Sequence, residues 1–150
     1  MTQHAYFFGY GSLVNRATHD FRQGRPAQLP GWRRYWKQTS LRPVAFLTAE
    51  PDPSCAIDGL IAQVPHDDWG ALDEREWAYD RIDVSKAVVH PVQKPIDIAV
   101  YSVRQSVQNP TQEVYPVLLS YIDVVVQGFL REFGAAGVAR FFETTSGWDT

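Results

Sequence analysis

The segment Trp69-Gly70-Ala71-Leu72-Asp73-Glu74-Arg75-Glu76-Trp77-Ala78-Tyr79 carries one side chain of the wrong type for its position. Read as a helix, it places Trp69, Leu72, Glu76 and Tyr79 at i, i+3, i+7 and i+10, a single stripe. Three of these four are large and apolar or aromatic, so the stripe faces inward and takes Glu76 with it. Glu74 lies two residues away, about 200° around the axis, and faces water. A buried carboxylate is costly unless it is paired or protonated, and desolvation makes a carboxylate a better general base near neutral pH. The other use of such a group is an internal ion pair, here with Arg42 or Arg81. Spacing alone leaves these two readings even.

A second segment, Gly9-Tyr10-Gly11-Ser12-Leu13, follows the short apolar run Ala5-Tyr6-Phe7-Phe8. Glycine-rich turns after strands can present backbone N–H groups to an anion or a developing oxyanion. An ordinary tight turn uses the same residues, and on spacing alone that plainer reading leads.

Other motifs fail on their own terms. The loop begins like a dinucleotide fingerprint, but the third glycine falls at Val14, which prevents close helix packing. Ser12 is no nucleophile elbow, because Tyr10 and Val14 stand where that motif needs glycines. His4, His19, His66 and His90 are scattered, and with one Cys they form no metal pattern. The run Trp32-Arg33-Arg34-Tyr35-Trp36-Lys37 interleaves aromatics with cations, as a single-strand nucleic-acid platform does. It reads better as a strand with Trp32, Arg34 and Trp36 on one face and Arg33, Tyr35 and Lys37 on the other.

Bulk properties narrow the class. A chain of 150 residues fits one domain, 1–150, with a real core. Net charge is −3, so electrostatic capture of nucleic acid or an anionic membrane is not favoured. The lone Cys55 cannot form an internal disulfide, which fits a reducing compartment. No signal peptide is expected from Met1 to Tyr6. The apolar stretch Val114 to Phe133 contains Asp123, Gln127 and Arg131, and reads as a buried helix rather than a membrane span. These points together predict a cytoplasmic protein.

Strands are predicted at Ala5–Phe8, Trp32–Thr39, Val44–Thr48, Ile57–Val64, Lys86–Val92 and Ile96–Arg104. Turn residues Glu50-Pro51-Asp52-Pro53-Ser54 separate the third from the fourth. Helices are predicted from about Trp69 to Tyr79 and from about Val114 to Phe133, the second ended by Gly134. The tail, Val138 to Trp148, adds a short helix and a loop. Strands, one helix, strands and one long helix predict an α+β fold, a small mixed β-barrel flanked by two main α-helices.

Taken together, Phe8-Gly9-Tyr10-Gly11-Ser12-Leu13 and Leu72-Asp73-Glu74-Arg75-Glu76 resemble two hallmarks of the γ-glutamylcyclotransferase superfamily, with its AIG2-like and ChaC-like members. These are a Tyr-Gly-Ser-Leu loop after the first strand and a Leu-Asp-x-x-Glu pattern ending in the catalytic Glu. Gly31-Trp32-Arg33-Arg34 is similar to the strand that commonly follows. Tyr115 resembles the family's substrate-pocket tyrosine. The resemblance runs from Tyr6 to about Phe133 and departs at Trp77-Ala78, where glycines are common. It implies Glu76 as general acid/base and Tyr10, Gly11, Ser12, Leu13 and Tyr115 as substrate-binding residues. It also implies a small-molecule γ-glutamyl substrate, release of 5-oxoproline, and no metal, nucleotide or other cofactor. Helical periodicity and family pattern select Glu76 over Glu74 by separate routes.

Overall fold

The computed structural model describes residues 5–16, 21–39, 44–64, 69, 76, 79–93, 96–103 and 116–148. Its centre is the first strand, β1 (Ala5–Gly9). All of Tyr6, Phe7 and Phe8 are buried, but alternation sends them to opposite sides. Tyr6 and Phe8 enter the main core, whereas Phe7 joins a second cluster with Leu13, Ala62, Val64 and Tyr101. A strand covered on both faces needs a continuous apolar run, which explains the sequence Ala-Tyr-Phe-Phe.

Five further strands complete the sheet: β2 (Arg22–Lys37), β3 (Phe46–Gln63), β4 (Tyr79–Asp83), β5 (Asp97–Val103) and β6 (Thr145–Ser146). Their order is β4-β5-β1-β3-β2-β6. β1 runs antiparallel to β3 and parallel to β5, with Phe8 opposite Ile61 and Val100. The sheet is therefore mixed. Among the described residues its edges, β4 and β6, do not pair with each other.

Three expectations need correction. Glu50 to Ser54 does not separate two strands, because β3 is continuous through it. The pairing jumps from Pro30↔Ala56 to Trp32↔Pro51, so four residues of β3 bulge out opposite Gly31. Gly31 takes φ 82°, a conformation that glycine adopts without strain, and Asp52 closes the bulge by accepting from Ser54 N. Residues 86–92 are turns rather than a strand, joined to β2 by a single bridge, Gln28↔Val89. Finally, β2 begins ten residues before Trp32, so Gly24 and Pro26 lie within it.

The helix α1 (Leu119–Glu143) covers the main face of the sheet through Val125, Phe129 and Phe141. It bends at Gly134, where φ 72° and ψ −171° leave the helical region. The predicted stop at Gly134 is thus a real break, after which helix resumes to Glu143. The predicted helix over 69–79 lies mostly outside the described residues. Of it, Tyr79 already belongs to β4. No described helix is long and apolar enough to cross a membrane. The result is a mixed α+β fold with a six-stranded sheet and one main helix.

Candidate active site

β1 ends at Gly9, and the chain turns through Tyr10 and Gly11 into a 3-10 turn, Ser12–Val14. Val14 N donates to Gly11 O and Asn15 N to Ser12 O, both at 3.0 Å, which closes the turn. Tyr10 is fastened at both ends. Its hydroxyl donates to Tyr101 O at 2.6 Å, and its carbonyl accepts from Arg34 Nε at 2.7 Å. Asn15 ties the far end of the loop to α1 by donating to Val124 O at 2.9 Å and Gln127 Oε1 at 3.2 Å.

Behind the loop lies a partly open cavity with about 320 Å³ of empty space, its mouth included. Its walls include Tyr10, Gly11, Ser12 and Leu13 from the loop, Glu76 and Tyr79 from the segment entering β4, and Tyr101 and Tyr121. The structure therefore brings the loop and Glu76, which are more than sixty positions apart in the sequence, to one cavity. Glu76 is partly buried, and its carbonyl accepts from Tyr79 N at 3.0 Å. Tyr115, the remaining candidate, lies outside the described residues, as does Arg42.

Electrostatically the cavity is simple. Among its described lining residues Glu76 is the one carboxylate, and none is Lys, Arg or His. Burial raises the phenol pKa of Tyr10 well above 10, and the negative charge of Glu76 adds to the effect. Tyr79 is raised for the same main reason, burial, with Tyr10, Tyr121 and Glu76 contributing. Its hydroxyl donates to Leu47 O at 2.6 Å. With their protons committed to backbone carbonyls, the Tyr10 and Tyr79 oxygens can only accept from a further ligand. A carboxylate beside two accepting phenols suits a cationic group such as an ammonium.

Sequence reasoning missed Tyr121. It stands in the first turn of α1, with its ring 5.9 Å from Trp36 and its hydroxyl close to Gly11. The signal was present: Tyr121, Val125 and Phe129 fall at i, i+4 and i+8, an inward stripe of the same kind that marked Glu76. Trp69, from that earlier stripe, joins the second core cluster. Its ring lies 6.3 Å from Tyr101 and under the Arg81 guanidinium at 4.6 Å.

A family model described as gamma-glutamyl cyclotransferase, AIG2-like, matches residues 7–121, from β1 to Tyr121 itself. The chain belongs to the AIG2-like γ-glutamyl cyclotransferase family. Solved structures share the family fold. YkqA from Bacillus subtilis superposes with a TM-score of 0.72 at 17% identity, over 95% of this chain and 54% of that one. The chain thus spans about half the length of YkqA. A γ-glutamyl cyclotransferase gives a TM-score of 0.69 at 15% identity, over 97% and 89% of the two chains. A γ-glutamyl cyclotransferase specific to glutathione from yeast gives 0.64 at 13%, over 96% and 98%. At these identities the likeness concerns the fold. A search of curated proteins gives no match.

Proposed function

We propose that the protein is a γ-glutamyl cyclotransferase that converts a γ-glutamyl amide into 5-oxoproline and a free amine or amino acid. The observation that carries this reading is the placement of Glu76 in the cavity that the Tyr10–Leu13 loop also lines. The substrate's α-ammonium sits against Glu76 and the accepting oxygens of Tyr10 and Tyr79. Glu76 takes a proton, and the freed amine attacks the γ-carbonyl of the same molecule. Holding amine and carbonyl in ring-closing geometry lowers the barrier by about 7–11 kcal/mol in favourable cases. Backbone amides of Gly11, Ser12 and Leu13 bind the substrate carboxylate or the tetrahedral oxyanion. Protonated Glu76 then returns its proton to the leaving amine and takes the second proton from the ring nitrogen, which departs with that amine as its ammonium, so protons balance without a covalent enzyme intermediate.

In this reading the sheet closes into a small barrel, with a second helix preceding β4, as one domain acting in the cytoplasm. A binding module that keeps the cavity without turnover is the alternative, favoured only by Trp77-Ala78 in place of glycines. Removal of a γ-glutamyl protecting group during a biosynthesis would use the same residues. Incubation with a panel of γ-glutamyl amines, amino acids and peptides tests all three. Release of 5-oxoproline is expected from at least one compound. Binding without release favours the module, and hydrolysis to free glutamate overturns cyclisation.

A further inference from the structure

The cavity loop is held from below by a charge that does not line the cavity. Arg34 on β2 is fully buried, at 0% exposure, in a face otherwise occupied by Trp32 and Trp36. Its guanidinium has three hydrogen-bond acceptors on three separate elements. Nε donates to Tyr10 O at 2.7 Å, Nη1 to Thr144 Oγ1 at 2.8 Å and Nη2 to Asp58 O at 2.5 Å. The rings of Phe129 and Phe141 each lie 4.9 Å from its central carbon. These phenylalanines come from opposite sides of the bend at Gly134, so Arg34 touches both halves of α1.

We propose that Arg34 is a positioning residue, which sets the substrate loop by gripping the Tyr10 carbonyl and references that grip to the C-terminal half of α1. This inference rests on the loop's role in the proposed reaction. The Tyr10 side chain is fixed to β5 through Tyr101 O, but that bond leaves the peptide joining Tyr10 to Gly11 free to rotate. The bond from Arg34 Nε fixes that peptide, and with it the direction of the chain entering Ser12–Val14. A planar fork with donors at fixed angles can serve Tyr10, Asp58 and Thr144 together, whereas a lysine ammonium on a flexible stem cannot. Thr144 completes the link. Its hydroxyl accepts from Arg34 and donates to Arg140 O at 2.6 Å, at the end of the helix and away from the cavity.

The test compares Arg34→Lys and Thr144→Val with the wild type by amide hydrogen exchange in the ligand-free protein and by steady-state kinetics on the turned-over γ-glutamyl compound. Exchange at residues 11–15 is expected to speed up about tenfold in Arg34→Lys and less in Thr144→Val, while β1 and β5 keep their protection. In parallel, kcat/KM falls roughly 10- to 100-fold for Arg34→Lys, with the acidic limb of the pH profile unmoved. Wild-type protection at residues 11–15 in both variants overturns the inference, as does a loosened loop with unchanged kcat/KM. Loss of protection throughout the sheet in Thr144→Val also overturns it, since the residue would then be merely structural. If Arg34→Lys does not fold, Thr144→Val carries both readouts. If the wild type turns over no γ-glutamyl compound, the proposed reaction falls. The exchange experiment then decides the role of Arg34 by itself.

Discussion

The Tyr10 hydroxyl and the Tyr101 carbonyl, 91 positions apart, meet at 2.6 Å at the wall of the cavity. That bond joins the loop after β1 to β5, whose Tyr101 lines the same space. It makes Tyr10 a buried structural phenol as well as a cavity residue, and it connects the chemistry of the site to the stability of the sheet.

Replacing Glu76 with Gln keeps the side chain's shape and removes its basicity. Turnover is expected to fall by roughly 10²- to 10⁴-fold or more, with an unchanged circular dichroism spectrum. Retained activity in the folded variant would remove Glu76 as the base.

Gly11→Ala puts a methyl group into the site. A Cβ there would come within 2.8 Å of the Tyr121 hydroxyl and 2.9 Å of Leu47 Cδ2. Tyr121 must yield, the space beside the loop shrinks, and KM is expected to rise at least tenfold. Enlarging the other side with Tyr121→Ala in the same chain should recover part of the binding. Identical KM values for wild type and Gly11→Ala would show that substrate does not approach this wall.

Alkaline pH tests the buried phenols. Both Tyr10 and Tyr79 titrate well above 10 when folded, so an unfolded chain loses their protons first. Stability from this source is intact below about pH 10 and declines above it, by up to about 1.4 kcal/mol per pH unit for each tyrosine. Tyr79→Phe deletes one of these contributions. Urea melts between pH 8 and 11 should therefore give a shallower decline in the variant. Parallel curves would mean that Tyr79 ionises as readily in the native protein as in water.

Two glycines of α1 separate crowding from backbone strain. A Cβ at Gly128 would lie 2.7 Å from Asn15 N and 2.8 Å from Asn15 Cα, so Gly128→Ala pushes the helix off the loop. A loss of about 1–3 kcal/mol is expected. At Gly134 nothing stands within 4 Å, and Gly134→Ala suffers only from its backbone, whose φ 72° and ψ −171° lie in a region that essentially only glycine adopts, at a cost of about 1–3 kcal/mol. Amide exchange at residues 11–15 is expected to quicken in Gly128→Ala and to stay at the wild-type rate in Gly134→Ala, and the reverse pattern would contradict this packing.

Much of the frame was legible because single strong signals coincide with real elements. The run Tyr6 to Phe8 is apolar throughout because it is covered on both faces, and Gly134 stops the first half of α1. Alternation puts Arg34 on one face with Trp32 and Trp36, but it cannot reveal that a cation is buried there. Its partners, Tyr10 O, Asp58 O, Thr144, Phe129 and Phe141, are scattered through the whole sequence. The bulge in β3 misled for a related reason. Pro51, Asp52 and Pro53 mark a change of direction, and local residue types do not tell a turn between strands from an excursion within one. The resemblance points to Tyr115, whereas the stripe Tyr121, Val125 and Phe129 of α1 brings Tyr121 to the cavity.

Because β1 lies between β3 and β5, a growing chain that has already made β1 waits for one of its neighbours until it has grown past Val103. Until then one side of Tyr6, Phe7 and Phe8 has no hydrogen-bonding partner from β5. A nascent chain stalled before Asp97 presents that unpaired edge, with three aromatic side chains, to anything nearby. The strand that delivers the loop to the cavity is thus secured on both sides only once β5 has been made.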